Sequence, residues 1–272
     1  MPVLQRDYLP EDCETSWQAA QVQAVVAVQA RAVVEETDFL LNLAELHPAV
    51  SGVVGWVDLA STNMAQRLSE WADRPKLRGF RHLLQDEPDV ARWLDSPQIR
   101  RNLQRLQTHR LTYDVLVFAH QLADVMPFCA THDAHWLVLD HLGKPALCQW
   151  LSNQDAKDQW RRAVRELAAM PHVMCKLSGL VTQTRWQNQF AFTDHDIKHM
   201  LFCFDEALAS FGSQRLMFGS DWPVCQLAAS YDGVHGLVRQ WAFSRLSDSE
   251  QADFWRNNAI RCYGLTLPTL MP

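Results

Sequence analysis

The sequence predicts an α/β fold wound on a parallel sheet, of the (β/α)8 TIM-barrel type, with strand 1 absent from the chain. Three observations point there. Short apolar runs alternate with longer amphipathic stretches along the whole chain, the pattern of βα units. Polar residues gather directly after the apolar runs, where parallel folds place their function. No Gly-x-Gly-x-x-Gly follows the first run and no P-loop occurs, which argues against a doubly wound nucleotide fold.

Seven units can be read in order. The first pairs an apolar run at 24–29 (AVVAVQ) with a helix over 35–47, opened by acidic Glu35-Glu36 that suit a first helical turn. The second pairs 53–57 (VVGWV) with a helix over 64–72, and the third pairs 77–83 (LRGFRHL) with a helical pattern over 89–109. The fourth run is 113–118 (YDVLVF), followed by 121–131; the fifth is 136–140 (WLVLD), followed by 155–170. The sixth is 173–177 (VMCKL), followed by 196–211, and the seventh is 215–218 (RLMF), followed by helical segments at 231–244 and 248–263. Residues 1–23 read as loop and helix, with Pro10-Glu11-Asp12 leading into 14–22. A barrel of about 250 residues closes on eight strands. The expectation is therefore a single domain over 1–272, N-terminally incomplete, with its first strand ahead of Met1. No Gly/Ser/Pro-rich linker or internal repeat divides the chain.

Composition narrows the function. Hydrophobic residues make up 48% of the 272 and charged residues 21%, which is globular rather than disordered. The net charge of −6, with no long basic block, sets nucleic acid and anionic membrane aside as partners. No apolar run reaches the roughly 20 residues of a membrane helix, and residues 1–10 lack the basic and apolar regions of a secretory signal. Seven widely spaced cysteines without Cys-x-x-Cys read as reduced, mostly buried thiols of a cytoplasmic protein.

The strand-end residues carry the chemistry. Asp221, in Gly219-Ser220-Asp221-Trp222-Pro223, can serve as general base or metal ligand, with a helix cap as the competing role. His141, in Leu139-Asp140-His141-Leu142-Gly143-Lys144, can ligate a metal or donate to an oxyanion, against a purely structural role. Arg81 and His82 end the third run, and alternation should point one inward and the other outward. His195 and His199 have the spacing of a ligand pair but lack the His-Glu-x-x-His pattern, so a solvated helix face is expected.

Taken together, GVVGWVDL (52–59), LRGFRHLLQDEPD (77–89), LVLDHLGKP (137–145), CKLSGL (175–180) and RLMFGSDWPV (215–224) resemble the amidohydrolase-related sugar lactonases of the L-fuconolactonase and L-rhamnonolactonase type. The resemblance runs from Arg6 to Tyr263. It implies hydrolysis of a cyclic ester of a sugar acid in carbohydrate catabolism, with Asp221 activating water and His141 polarising the carbonyl. It implies Arg81, His82, Gln29, Trp56 and Trp222 as substrate-binding residues. The expected partner is a small-molecule sugar lactone, with a homo-oligomer allowed for. The family's strand-one His-x-His is missing here. No cofactor is therefore certain; a divalent metal such as zinc, if bound, would fall to His141 and Asp221. Two other readings stay open: a catalytically impaired barrel that binds without turnover, and a lactonase for pyrone-type dicarboxylates, for which only Arg31 and Arg81 are placed.

Overall fold

The computed structural model describes residues 2–186 and 192–268. Its centre is one sheet of seven parallel strands: β1 (Val25–Val28), β2 (Val50–Gly55), β3 (Leu77–His82), β4 (Thr112–Val115), β5 (Leu137–Leu139), β6 (Val173–Leu177) and β7 (Leu216–Phe218). They lie side by side in sequence order. A doubly wound sheet would reverse that order at a switch point, so the consecutive order disposes of the open-sheet alternative. No pairing joins β1 to β7 among the described residues.

Helices cross between the strands: α1 (Glu14–Ala19) ahead of β1, then α2 (Val34–Leu46), α3 (Met64–Glu70), α4 (Val90–Asp95), α5 (Pro97–Thr108), α6 (Leu122–Thr131), α7 (Gln154–Ala168) and α8 (Asp194–Phe211). After β7 come α9 (Tyr231–Arg245), α10 (Asp248–Ala252) and α11 (Asn258–Tyr263). Side-chain caps fix several starts. Asn153 accepts from Ala156 N at α7, Ser230 accepts from Gly233 N at α9, and Thr193 with Asp196 forms a capping box at α8.

Boundaries depart from the sequence reading for local reasons. The pattern over 89–109 is two helices, because Pro97 lacks an N–H and forces Ser96 out of helical geometry (ψ 125°). β2 starts at Val50 rather than 53, since Val50 pairs with Val25 despite the weak strand formers Ser51 and Gly52 behind it. β4 leaves the ladder after Val115, although Leu116 and Val117 remain buried. The first helix stops at Ala19, and Gln21 then turns left-handed (φ 57°).

Both faces of the sheet are covered, which is why its strands read as nearly continuous apolar runs. Outward residues such as Val53, Phe80, Tyr113, Leu139, Cys175 and Leu216 pack under the helices. Inward residues Val54, Val138, Met174 and Met217 meet Cys262 and Tyr263 of α11, with Val26 and Val28 of β1 against them. Side chains from β1, β2, β5, β6 and β7 thus share one interior cluster, which requires the sheet to curl.

Towards the C-terminal ends of the strands the interior turns ionic. Lys176 of β6 reaches Asp114 of β4 at 2.5 Å and Asp140, just past β5, at 2.8 Å. Arg81 of β3 binds the other oxygen of Asp140 at 2.9 Å and the backbone carbonyl of Gln29. The Tyr263 hydroxyl donates to Asp114 at 2.9 Å. Burial alone would push Asp140 up, but Lys176 and Arg81 outweigh it and hold it well below the ordinary carboxylate range. Burial pulls Lys176 down, and Asp114 and Asp140 more than restore it, to about 12. Burial pushes Asp114 above the ordinary carboxylate range, and Lys176 beside it offsets that only in part.

Two outcomes are expected. Lys176→Met leaves Asp114 and Asp140 without their shared cation and should destabilise the fold by about 3–5 kcal/mol, read by urea unfolding. All seven cysteines are free thiols, and every one except Cys148 is buried. Burial pushes Cys13 up to about 11 and Cys129 up to about 12. A thiol reagent at neutral pH should therefore modify Cys148 alone in the folded chain and all seven after denaturation.

Candidate active site

The site forms where β5, β6 and β7 end. After β5 the backbone enters a left-handed turn, with φ of 54° at His141, 53° at Leu142, 67° at Gly143 and 45° at Lys144. Such a run is costly for residues with a Cβ and persists only where the surroundings hold it. Here Trp160 of α7 donates its indole N–H to Leu142 O at 2.8 Å, and Lys144 N donates to His141 O at 2.8 Å. Gly143 suits this turn, since a Cβ there would come within 2.7 Å of the Leu122 side chain of α6. The turn brings His141 inward over the ionic layer, directly after Asp140.

The imidazole sits in a closely built cradle. A Cβ on Gly179 (φ 66°) would come within 2.6 Å of His141 Nδ1. Ser178, just past β6, places its Oγ 2.7 Å from that nitrogen. Nε2 faces Asp221 Oδ1 at 3.6 Å, beyond hydrogen-bond reach but within ion-pair range. Asp221, past β7, is itself left-handed (φ 56°), which a short polar side chain tolerates best. Burial pulls the His141 pKa below its ordinary value, and Asp221 and Asp140 offset that only in part. The resting ring is neutral, with one N–H to give.

The other residues expected in the site divide. Arg81 points inward and is held by Asp140, with Gln29 Nε2 returning a bond to Arg81 O at 3.1 Å. Gln29 is fully buried and acts on Arg81. His82 points the other way. It stacks on Trp93 of α4 with centroids 4.4 Å apart, and its Nε2 lies 2.8 Å from Glu87. Trp56 Nε1 donates to His82 Nδ1 at 3.3 Å. Both His82 nitrogens are thus engaged, and Trp56 is tied to His82. Trp222 lies beside Asp221, edge-on to Tyr8 at 5.3 Å, so the N-terminal segment packs against the β7 end of the site. The Trp222–Pro223 peptide is cis. Arg31 is exposed. His195 and His199 stand on α8 with rings 4.0 Å apart, half-buried beside Trp150 rather than fully solvated, and away from the strand ends.

Ser178, Lys144 and Gln85 join the site without having been assigned a role from the sequence. Lys144 Nζ contacts Gln85 Oε1 at 2.5 Å and lies 5.2 Å over the Phe118 ring. Burial draws its pKa down. Ser178 and Lys144 do follow apolar runs, but nothing in the sequence names their partners. A catalytic zinc takes three protein ligands. Among the described residues no three His, Cys, Asp or Glu side chains converge, so His141 and Asp221 alone do not make up such a centre. Nor is any helix of the described residues long and apolar enough to cross a membrane.

The chain matches known proteins along nearly its whole length. Residues 2–265 match the family described as Amidohydrolase. An L-fucono-1,5-lactonase of Burkholderia multivorans is 53% identical over 98% of this chain and 90% of its own length. An L-fucono-1,5-lactonase of Burkholderia ambifaria is 33% identical over 99% of this chain and 89% of its own. The crystal structure of an amidohydrolase from Burkholderia multivorans with bound zinc superposes with a TM-score of 0.94, at 53% identity, covering 98% of this chain and 92% of that one. With the family match spanning nearly the whole chain and these relatives aligned over about nine-tenths of their own length, the chain belongs to the amidohydrolase family.

Proposed function

We propose that this chain hydrolyses the lactone of a sugar acid, of the L-fucono- or L-rhamnono-lactone type. The observation that carries the reading is the His141–Asp221 pair, an imidazole nitrogen facing a carboxyl oxygen across 3.6 Å where three strands end. The names of the relatives supply the substrate class.

The reaction follows from that geometry. Asp221 accepts a proton from water as the oxygen attacks the lactone carbonyl. His141 Nε2–H donates to the carbonyl oxygen as negative charge builds there. Collapse of the tetrahedral intermediate breaks the acyl–oxygen bond. The ring oxygen takes up the proton Asp221 had accepted and becomes a hydroxyl, while the new carboxylic acid on the same open chain gives its own proton to solvent and leaves as a carboxylate. Lys144 and Trp222 flank the pair and would meet the sugar. Arg81 serves by holding Asp140 and Gln29 by holding Arg81, while His82 and Trp56 hold each other beside Trp93 of α4.

Two finer points belong to the same reading. The curled sheet follows the eight-stranded barrel plan, with β7 and β1 flanking the place of the remaining strand. A dicarboxylate substrate has less support, because Arg81 is already neutralised by Asp140 and Arg31 is exposed.

Asp221→Asn keeps the shape and removes the base. Opening of L-fucono-1,5-lactone, followed as acid release in weak buffer, should slow roughly 100- to 10,000-fold. An unchanged rate would remove Asp221 from the chemistry.

A further inference from the structure

We propose that Ser178 is a positioning residue for His141. Its hydroxyl donates to Nδ1 and thereby keeps the imidazole proton on Nε2, the nitrogen that faces Asp221. The proposal deepens the lactonase reading and rests on it for its kinetic consequence, although not for its structural one.

The contact is short and enclosed. Ser178 Oγ lies 2.7 Å from His141 Nδ1, and both residues are buried. Two glycines make the approach possible. Any side chain on Gly179 would strike the imidazole, and a Cβ on Gly219 would sit 3.0 Å from Ser178 Cβ and 3.3 Å from its Oγ. The strand ends of β6 and β7 are thus pared back so that hydroxyl and ring can stand side by side.

The direction of the bond follows from the far side of the ring. A neutral imidazole carries one N–H and one lone pair. If Nδ1 held the proton and donated it to Ser178, the Nε2 lone pair would face the Asp221 carboxylate at 3.6 Å, two acceptors opposed at close range in a partly buried site. With the hydroxyl donating, Nε2–H faces the carboxylate and is free to turn to a substrate oxygen. A hydroxyl can donate or accept, so Ser178 does not force this tautomer alone. It stabilises the one that Asp221 already favours, as groups that bond a functional histidine's second nitrogen generally do.

The test reads the tautomer directly. Long-range 15N–1H correlation spectra of the full chain with 15N-labelled histidine are recorded at one near-neutral pH without substrate, and the His141 signals are identified by their loss in His141→Gln. A proton on Nε2, with an Nδ1 resonance that shifts in Ser178→Ala, is the expected result; a proton on Nδ1 in the unsubstituted chain overturns the proposal. Because no substrate is present, a chain that opens no lactone leaves this arm intact. In turnover, Ser178→Ala should lower kcat roughly 10- to 100-fold with KM little changed. An unchanged kcat would overturn the proposal, as would covalent labelling of Ser178 by a fluorophosphonate, which would make it a nucleophile instead. Should Ser178→Ala fail to fold, the tautomer in the unsubstituted chain still decides.

Discussion

The ammonium of Lys176 is the contact on which the site depends. It lies between Asp114 of β4 and Asp140, which follows β5 directly. Burying charges without partners would cost several kcal/mol each. The arrangement is tolerable only because Arg81 and Lys176 match the two aspartates, and Tyr263 fills a further acceptor position on Asp114. Through these bonds β3, β4, β6 and α11 fix the residue that immediately precedes His141.

Position is then refined by backbone geometry. His141 and Asp221 are both left-handed, and each sits where the chain leaves the sheet. Strained conformations of this kind persist where the surroundings over-determine them. Around His141 those surroundings are Trp160 on the Leu142 carbonyl, Leu122 against Gly143, and the bare Cα of Gly179 against the ring. A histidine so confined spends little entropy on reaching its working orientation, which is the value of a preorganised donor. Asp221 is less enclosed, its side chain 16% exposed against 9% for His141.

Much of this could be read from the residues alone, for an identifiable reason. A parallel sheet delivers the residue after every strand to one end, so a search of strand ends finds His141 and Asp221 without tertiary information. Alternation likewise separates Arg81 from His82, and the structure sends the first to Asp140 and the second to Trp93. What the residues hide is pairing at long range. Lys176 and Asp114 are 62 positions apart, and Tyr263 and Asp114 are 149 apart. Each looks like an isolated polar residue in an apolar run until the sheet curls. Strand limits were equally hidden: β2 reaches back through Ser51 and Gly52 because β1 is there to pair with, which is a property of the neighbour.

In the proposed reaction, water attacks the carbonyl carbon between Asp221 and His141. Turnover of L-fucono-1,5-lactone in 18O-enriched water, with the product examined by mass spectrometry, tests this most directly. One labelled oxygen in the carboxylate group is the expected result, since the acyl–oxygen bond is the one broken in that reaction. Label in the hydroxyl released from the ring would mean attack at the sugar carbon, and would contradict the assignment of both residues.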